Sequence, residues 1–286
     1  MNSRLRLIKI FLLVVLSVIC VFVWAIPNKD TAVFLTVSFL DVGQGDAIHI
    51  MTPDGFEVLI DGGSSASILR QLASTRSFFD RKIDLLIATH PDTDHVGGLV
   101  DVLDRYQVAN IMMTNVNHKS AAAEAFNRGA LLEPEASLLE ARAGQIINLG
   151  ASTSIRILSP QGNVENWSSN NASIVLQLVY GDIEFMLTGD APNTIENYLV
   201  DIYGNSIASE VLKLGHHGSK TSTAQEFLEI VAPDFAVVSA GQSNRYGHPS
   251  EEVVNRVSQF GATIISTANW GNIVFQSDGN EVWVVE

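Results

Sequence analysis

His90, Asp92, Asp94 and His95 fall within six residues, in the run Thr89-His90-Pro91-Asp92-Thr93-Asp94-His95-Val96-Gly97-Gly98. Imidazole nitrogen and carboxylate oxygen are the donors that suit zinc, manganese or iron. A plainer account makes one aspartate a helix cap and His90 a core histidine. It explains one or two of the four residues and leaves the cluster unexplained. His216 and His217 stand side by side before Gly218. Neighbouring side chains in a turn diverge, so one can bind a metal while the other holds a carboxylate or phosphate. Asp61 and Asp190 each end an apolar run beside glycine, where a cap or turn is an equal reading. His248 lies in the loop Asn244-Arg245-Tyr246-Gly247-His248-Pro249. His49 alternates within a strand and reads as structural. His118 sits in a polar loop and is expected to be exposed.

These residues need elements to hold them. Alternating or β-branched runs predict strands over 32–40, 47–51, 56–60, 82–89, 108–113, 146–149 and 153–158. Ser173–Tyr180 and Ile183–Thr188 flank Gly181-Asp182, a hairpin signal. Further strands are expected over 211–214, 235–239, 263–267, 271–276 and 281–285. Helices are expected over 64–79, 99–106, 120–128, 136–143, 194–203, 223–231 and 250–260. Chemistry-bearing residues sit in the turns after strands, where α/β proteins build sites. The pattern predicts a mixed sheet covered by helices, a layered α/β sandwich. Residues 30–286 read as one large domain without an internal linker.

Composition sets limits. The net charge is -14 over 286 residues. Residues 1–29 hold four basic and no acidic residues, leaving 13 basic against 31 acidic ones, or -18, on the remainder. Such a surface does not coat nucleic acid in general, although local cations beside a metal can still receive a phosphate. Cys20 is the only cysteine, so no internal disulfide or thiolate ligand serves residues 30–286. Arg4, Arg6 and Lys9 precede the uncharged run Ile10–Ile26. Counted from Leu7, the span 7–26 meets the roughly 20 apolar residues of a membrane helix. The basic flank predicts a single-pass anchor in the cell membrane, with the remainder extracytoplasmic. The alternative is secretion after signal cleavage, with Ala25 as the cleavage position.

The chain resembles the metallo-β-lactamase superfamily in His90-x-Asp92-x-Asp94-His95 followed by Gly97-Gly98. More narrowly, residues 34–275 resemble the metallo-β-lactamase-like domain of ComEC-type DNA-uptake proteins. Six further runs carry the likeness: Phe39-Leu40-Asp41-Val42-Gly43-Gln44-Gly45-Asp46-Ala47, Leu59-Ile60-Asp61-Gly62-Gly63, Asn170-Asn171-x-Ser173, Leu187-Thr188-Gly189-Asp190, Leu212-Lys213-x-x-His216-His217-Gly218-Ser219 and Asn244-x-Tyr246-Gly247-His248-Pro249.

The resemblance implies a four-layer αββα sandwich and one or two divalent ions, zinc or manganese, with no organic cofactor. His90 and Asp92 would hold the first ion, Asp94 and His95 the second. Asp190 would bridge them, and His216 or, preferably, His217 would complete the second site. Asp46 and Asp61 would be structural near the site. The superfamily usually has His where this chain has Asp92, and a further His where it has Asn170 and Asn171. The first site is then richer in oxygen, which makes manganese as credible as zinc.

The resemblance implies a metal-dependent phosphodiesterase or nuclease acting on DNA. Asp94 would orient the attacking water and His248 would protonate the leaving oxygen. Asn171, Lys213, Ser219, Lys220 and Arg245 would contact substrate. The single apolar segment gives no multispan channel, so a partner DNA-uptake channel is expected. The alternatives are hydrolysis of another ester, a lactone or a β-lactam, and a non-catalytic metal-binding surface domain. Replacement of Asp190 is expected to abolish turnover, and replacement of His118 to leave it nearly unchanged.

Overall fold

The computed structural model describes residues 2–25, 34–76, 80–150 and 152–285. It divides into two units, Met1–Thr31 and Ala32–Glu286. The first contains one helix, Asn2–Ala25. Among the described residues no helix is long and apolar enough to cross a membrane. The expected span 7–26 runs beyond them, because residue 26 and the side chains from 19 onward, Cys20 included, lie outside the described residues.

The second unit is built on two large sheets. One has the spatial order 282–285, 273–277, 35–39, 48–51, 57–60, 85–87, 110–113, 137–140. The other runs 263–266, 235–238, 211–213, 183–187, 175–180, 153–159, 146–148. Each sheet has an antiparallel part and a parallel part. Glu57–Ile60, Leu85–Ile87, Asn110–Met113 and Ser137–Glu140 run parallel, as do Ile183–Leu187, Val211–Lys213, Phe235–Val238 and Thr263–Ser266.

Strand periodicity explains the layering. In a strand, alternate side chains face opposite sides. Val58, Ile60, Leu85 and Ile87 join Phe185, Leu187, Val211 and Val237 in a core between the sheets. The intervening Leu59 and Leu86 pack outward with Ile68, Leu72, Leu99 and Val102 from helices. Met186, Leu212, Ala236 and Val238 do the same against Leu199, Phe227, Leu228 and Val253. Sheets buried on both faces read as unbroken apolar runs. The order helix, sheet, sheet, helix is the expected αββα sandwich.

The helix boundaries follow their caps. Ser120 accepts from the Ala123 amide and Ser250 from the Val253 amide, starting helices Ala121–Leu132 and Glu251–Phe260. The helix expected over 64–79 spans Ser67–Thr75, and residues 77–79 lie outside the described residues. The helix expected over 99–106 is shorter, Leu99–Leu103, behind a single turn at Thr93–Val96. The expectation of a helix over 136–143 is overturned. Ser137–Glu140 is an edge strand, paired parallel from Asn110↔Ser137 to Met113↔Glu140. Pairing with Asn110–Met113 satisfies its backbone groups, and this overrides the weak helix preference of Leu and Glu.

Candidate metal centre

The polar residues singled out from the sequence meet at the carboxyl ends of the parallel strands. Open α/β sheets bind ligands at that edge. Asp61 follows Glu57–Ile60, and His90 follows Leu85–Ile87, in one sheet. Asp190 follows Ile183–Leu187, and His216 and His217 follow Val211–Lys213, in the other. The two sheets therefore supply opposite walls.

The backbone there is held in costly shapes. Asp61, His216 and His217 have φ of 58°, 48° and 57°. Left-handed non-glycine residues cost about 1–3 kcal/mol each and cluster at functional sites. Glycines allow the loops to touch. A Cβ on Gly45 would lie 2.0 Å from the Asp94 carbonyl oxygen, and one on Gly98 would lie 2.1 Å from that of Gly62.

His95 Nδ1 lies 2.7 Å from Asp61 Oδ2. Asp61 is fixed in turn by the Thr89 amide at 2.8 Å and the Thr89 hydroxyl at 2.6 Å. His217 Nδ1 lies 3.3 Å from Asp46 Oδ1. These carboxylates take the Nδ1 side and turn Nε2 inward. His95 Nε2 is then 3.3 Å from Asp190 Oδ1. His217 Nε2 is 3.5 Å from Asp94 Oδ2 and 3.7 Å from Asp190 Oδ2. His90 Nε2 is 3.7 Å from both Asp92 Oδ2 and Asp190 Oδ2. His216 Nε2 is 3.8 Å from the same Asp190 oxygen.

The donor set fits divalent metal. Nε2 of His90, His95 and His217 and Oδ1 of Asp190 are buried without a hydrogen-bond partner. Buried polar atoms are otherwise almost always paired. Ligand bonds of 2.0–2.2 Å place neighbouring donors about 3–4 Å apart, the spacing found here. Asp94, His95 and His217 form one donor group and His90, His95 and Asp190 another, with His95 common to both, and Asp190 Oδ2 lies 3.7 Å from both His90 Nε2 and His217 Nε2. His217 is the one of the adjacent pair that joins Asp94 and His95, while His216 is half-buried on its outer side.

Electrostatics separates the members. Burial and then repulsion from His95 push His90 down to about 3. Burial also lowers His217, but Asp190 and Asp46 outweigh it and raise the group to about 9. His95 rises well above its usual range, since Asp190 and Asp61 outweigh its burial. Burial raises the Asp190 carboxyl, and His217 and His95 more than reverse that, holding it well below the carboxylate range. Asp94 is likewise held low by His217 and His95 against its burial. His248 is lowered by burial and then by His216 and His217.

One of the expected substrate contacts, Lys213, is corrected. Lys213 is fully buried and ion-paired to Asp46, and it donates to the Gly189 carbonyl at 3.0 Å. It shares parity with Val211, so it points between the sheets under the site. Ser219 is buried, and its hydroxyl lies 3.0 Å from that of Thr221. Asn171 is half-buried, and its neighbour Asn170 reaches His216 Nδ1 at 3.4 Å. Lys220 is exposed, and Arg245 borders a cleft beside Asp94. His118, expected in solvent, is half-buried with Nε2 3.7 Å from Asp92 Oδ1. His49 is structural, bonded to Glu57 at 2.8 Å. The sequence reading missed Thr89, whose amide and hydroxyl brace Asp61. Its place before His90 at a strand end was the available signal.

The model of the metallo-beta-lactamase superfamily matches residues 40–242, and the chain belongs to that superfamily. The chain is 30% identical over 252 residues to competence protein ComA of Neisseria gonorrhoeae, covering 88% of this chain and 33% of that protein. It is 29% identical over 259 residues to ComE operon protein 3 of Bacillus subtilis, covering 84% and 33%. Both are ComEC-type competence proteins, the subfamily its sequence runs resemble. The chain spans about a third of the length of these relatives. Among solved structures, Igni18, a metallo hydrolase from Ignicoccus hospitalis, superposes with TM-score 0.55 at 16% identity, covering 88% of this chain and 99% of that one. That likeness concerns the fold.

Proposed function

We propose that residues 30–286 form a metal-dependent phosphodiesterase that cuts nucleic acid. One observation carries the metal dependence: three buried imidazole Nε2 atoms converge on Asp190 with no hydrogen-bond partner. His90, Asp92 and Asp190 would hold one zinc or manganese ion, and Asp94, His95, His217 and Asp190 the other. Bound there, the ions would supply a water of lowered pKa and a charge to offset the phosphate.

The chain's own groups do the rest. Asp61 and Asp46 fix the ring orientation of His95 and His217. Asp94, 30% exposed at its side chain and held ionised, faces the open side and orients the attacking water. His248 stands with its ring 5.6 Å from that of His216, and its Nδ1 has no partner. It is neutral when the site is free. A bound phosphate beside it favours the protonated ring, which then delivers the proton to the leaving oxygen.

The competence relatives support DNA as the substrate, and a DNA-uptake channel is the partner proposed with it. The basic flank before Ile10–Ile26 supports an anchor through residues 7–26 with the domain outside the membrane. The test is to purify the full chain in detergent, strip it of metal and restore manganese or zinc. Labelled single-stranded DNA and bis-p-nitrophenyl phosphate are then assayed side by side. Metal-restored turnover of both is expected. Bound metal without turnover of either would overturn the phosphodiesterase reading in favour of another ester, a lactone or a β-lactam.

A further inference from the structure

A cleft of about 420 Å³ opens beside Asp94, lined by Gln44, Ser64, Thr93, Asn244, Arg245 and Tyr246. Its volume falls in the range of small-ligand pockets, roughly 300–1,000 Å³. Tyr246 is 53% exposed and lines this cleft. Its ring lies parallel to that of His248, with centroids 5.9 Å apart and planes 14° apart. Arg245 lies 5.0 Å from the Tyr246 ring centre and donates to its hydroxyl at 2.8 Å. Arg245, Tyr246 and His248 thus lead to His216, whose ring meets that of His248 edge-on and whose Nε2 lies 3.8 Å from Asp190.

The row is held in place. Asn244 Nδ2 donates to the carbonyls of His248 at 2.7 Å and Gly241 at 2.9 Å, and Asn244 Oδ1 accepts from the His248 amide at 2.9 Å. Gly247 turns the chain at φ 71° between them. The loop therefore presents Tyr246 at a set distance from the site.

Charge narrows the occupant. Residues 30–286 carry -18, so diffuse attraction to phosphates is absent. Lys213 is spent on Asp46 inside the protein, which leaves Arg245 and Lys220 as the cations among the expected substrate contacts. A polynucleotide held by so few cations must draw affinity from its bases. An aromatic face supplies that without reading sequence.

We infer that Tyr246, with Arg245, is a stacking platform for an unpaired nucleobase of the strand whose phosphate reaches Asp94. The inference rests on the nucleic-acid reading above and adds a preference for single strands. A base in a duplex already stacks on its neighbours and cannot enter the cleft.

The test measures binding, so it does not depend on turnover. Full-length chain is titrated, with manganese and zinc withheld, against fluorescein-labelled dT12, an abasic strand of equal length, and dT12 paired with dA12. Fluorescence anisotropy should show dT12 bound on the order of 10-fold tighter than the abasic strand and the duplex. Tyr246→Ala should abolish the preference, and Tyr246→Trp should restore it. Equal affinity for dT12 and the abasic strand, a preference intact in Tyr246→Ala, or no measurable dT12 binding each overturns the platform. If the preference holds but the metal-restored chain leaves dT12 uncut, the nuclease reading fails and the platform stands.

Discussion

His217 and His90 are both buried, and both end in a lone Nε2, yet they are backed differently. Behind His217 stands the Asp46 carboxylate, itself paired to buried Lys213. Behind His95 stands Asp61, braced by Thr89. Behind His90 there is only the Thr89 hydroxyl, at 3.1 Å. A carboxylate behind an imidazole fixes its orientation and raises its basicity, and a hydroxyl does less. Against its burial, Asp190 and then Asp46 raise His217 to about 9, while burial and repulsion from His95 take His90 down to about 3. The pocket of His95 and His217 is thus prepared and basic, and that of His90 is weaker because no carboxylate stands behind its ring. The expected grading is tight metal binding at Asp94, His95 and His217, and looser, exchangeable binding at His90 and Asp92.

The sharpest test removes the carboxylate that lies 3.7 Å from both His90 Nε2 and His217 Nε2. Asp190→Ala should reduce turnover at least about 10³-fold, and metal analysis should find less than one ion retained. Both ions retained would mean that Asp190 does not stand between them. Next, His217→Ala should weaken the tight site by about 10- to 100-fold, while His90→Ala affects only the weak one. Calorimetric titration with zinc separates the two, and equal losses would erase the grading.

Lys213→Met leaves Asp46 buried without its cation. Breaking such a pair costs about 3–5 kcal/mol, readable in denaturant unfolding of the metal-free protein. A phosphate contact at the surface would instead leave stability unchanged and weaken DNA binding.

Asp190 and Asp46 also set a pH dependence. His217 is raised above its ordinary 6.5 to about 9. Its contribution to metal-free stability is therefore complete below pH 6.5 and is lost as pH rises through about 9. The melting temperature of the metal-free protein should fall from pH 7 to pH 10, and that of the zinc-loaded protein should fall less. Parallel curves would contradict this origin. The smallest effect belongs to His118→Ala. It touches only Asp92 on the weak side, so turnover at saturating metal should stay within about threefold.

Much of this arrangement could be read from residue order. The four donors of residues 90–95 are contiguous, and the sheets appear as apolar runs of strand length. What escaped depended on partners distant in sequence. Ser137–Glu140 is a strand because Asn110–Met113 offers an edge, and nothing local says so. Lys213 looked like a surface cation beside a motif, although its spacing from Val211 already aimed it between the sheets. His118 follows Asn110–Met113 and returns to Asp92 only because that strand lies next to Leu85–Ile87. The choice between Asn170 and Asn171 rested on a short turn at Asn170–Ala172, whose phase no pattern reveals.

The donors are divided between residues 90–95 and residues 190–217, one set on each sheet. A ribosome that has released only the first half has made no complete pocket. Any metal held by both sets is therefore captured only after both sheets have formed. Chelation should act as a reversal of that final step, loosening the seam between the two halves before either half melts.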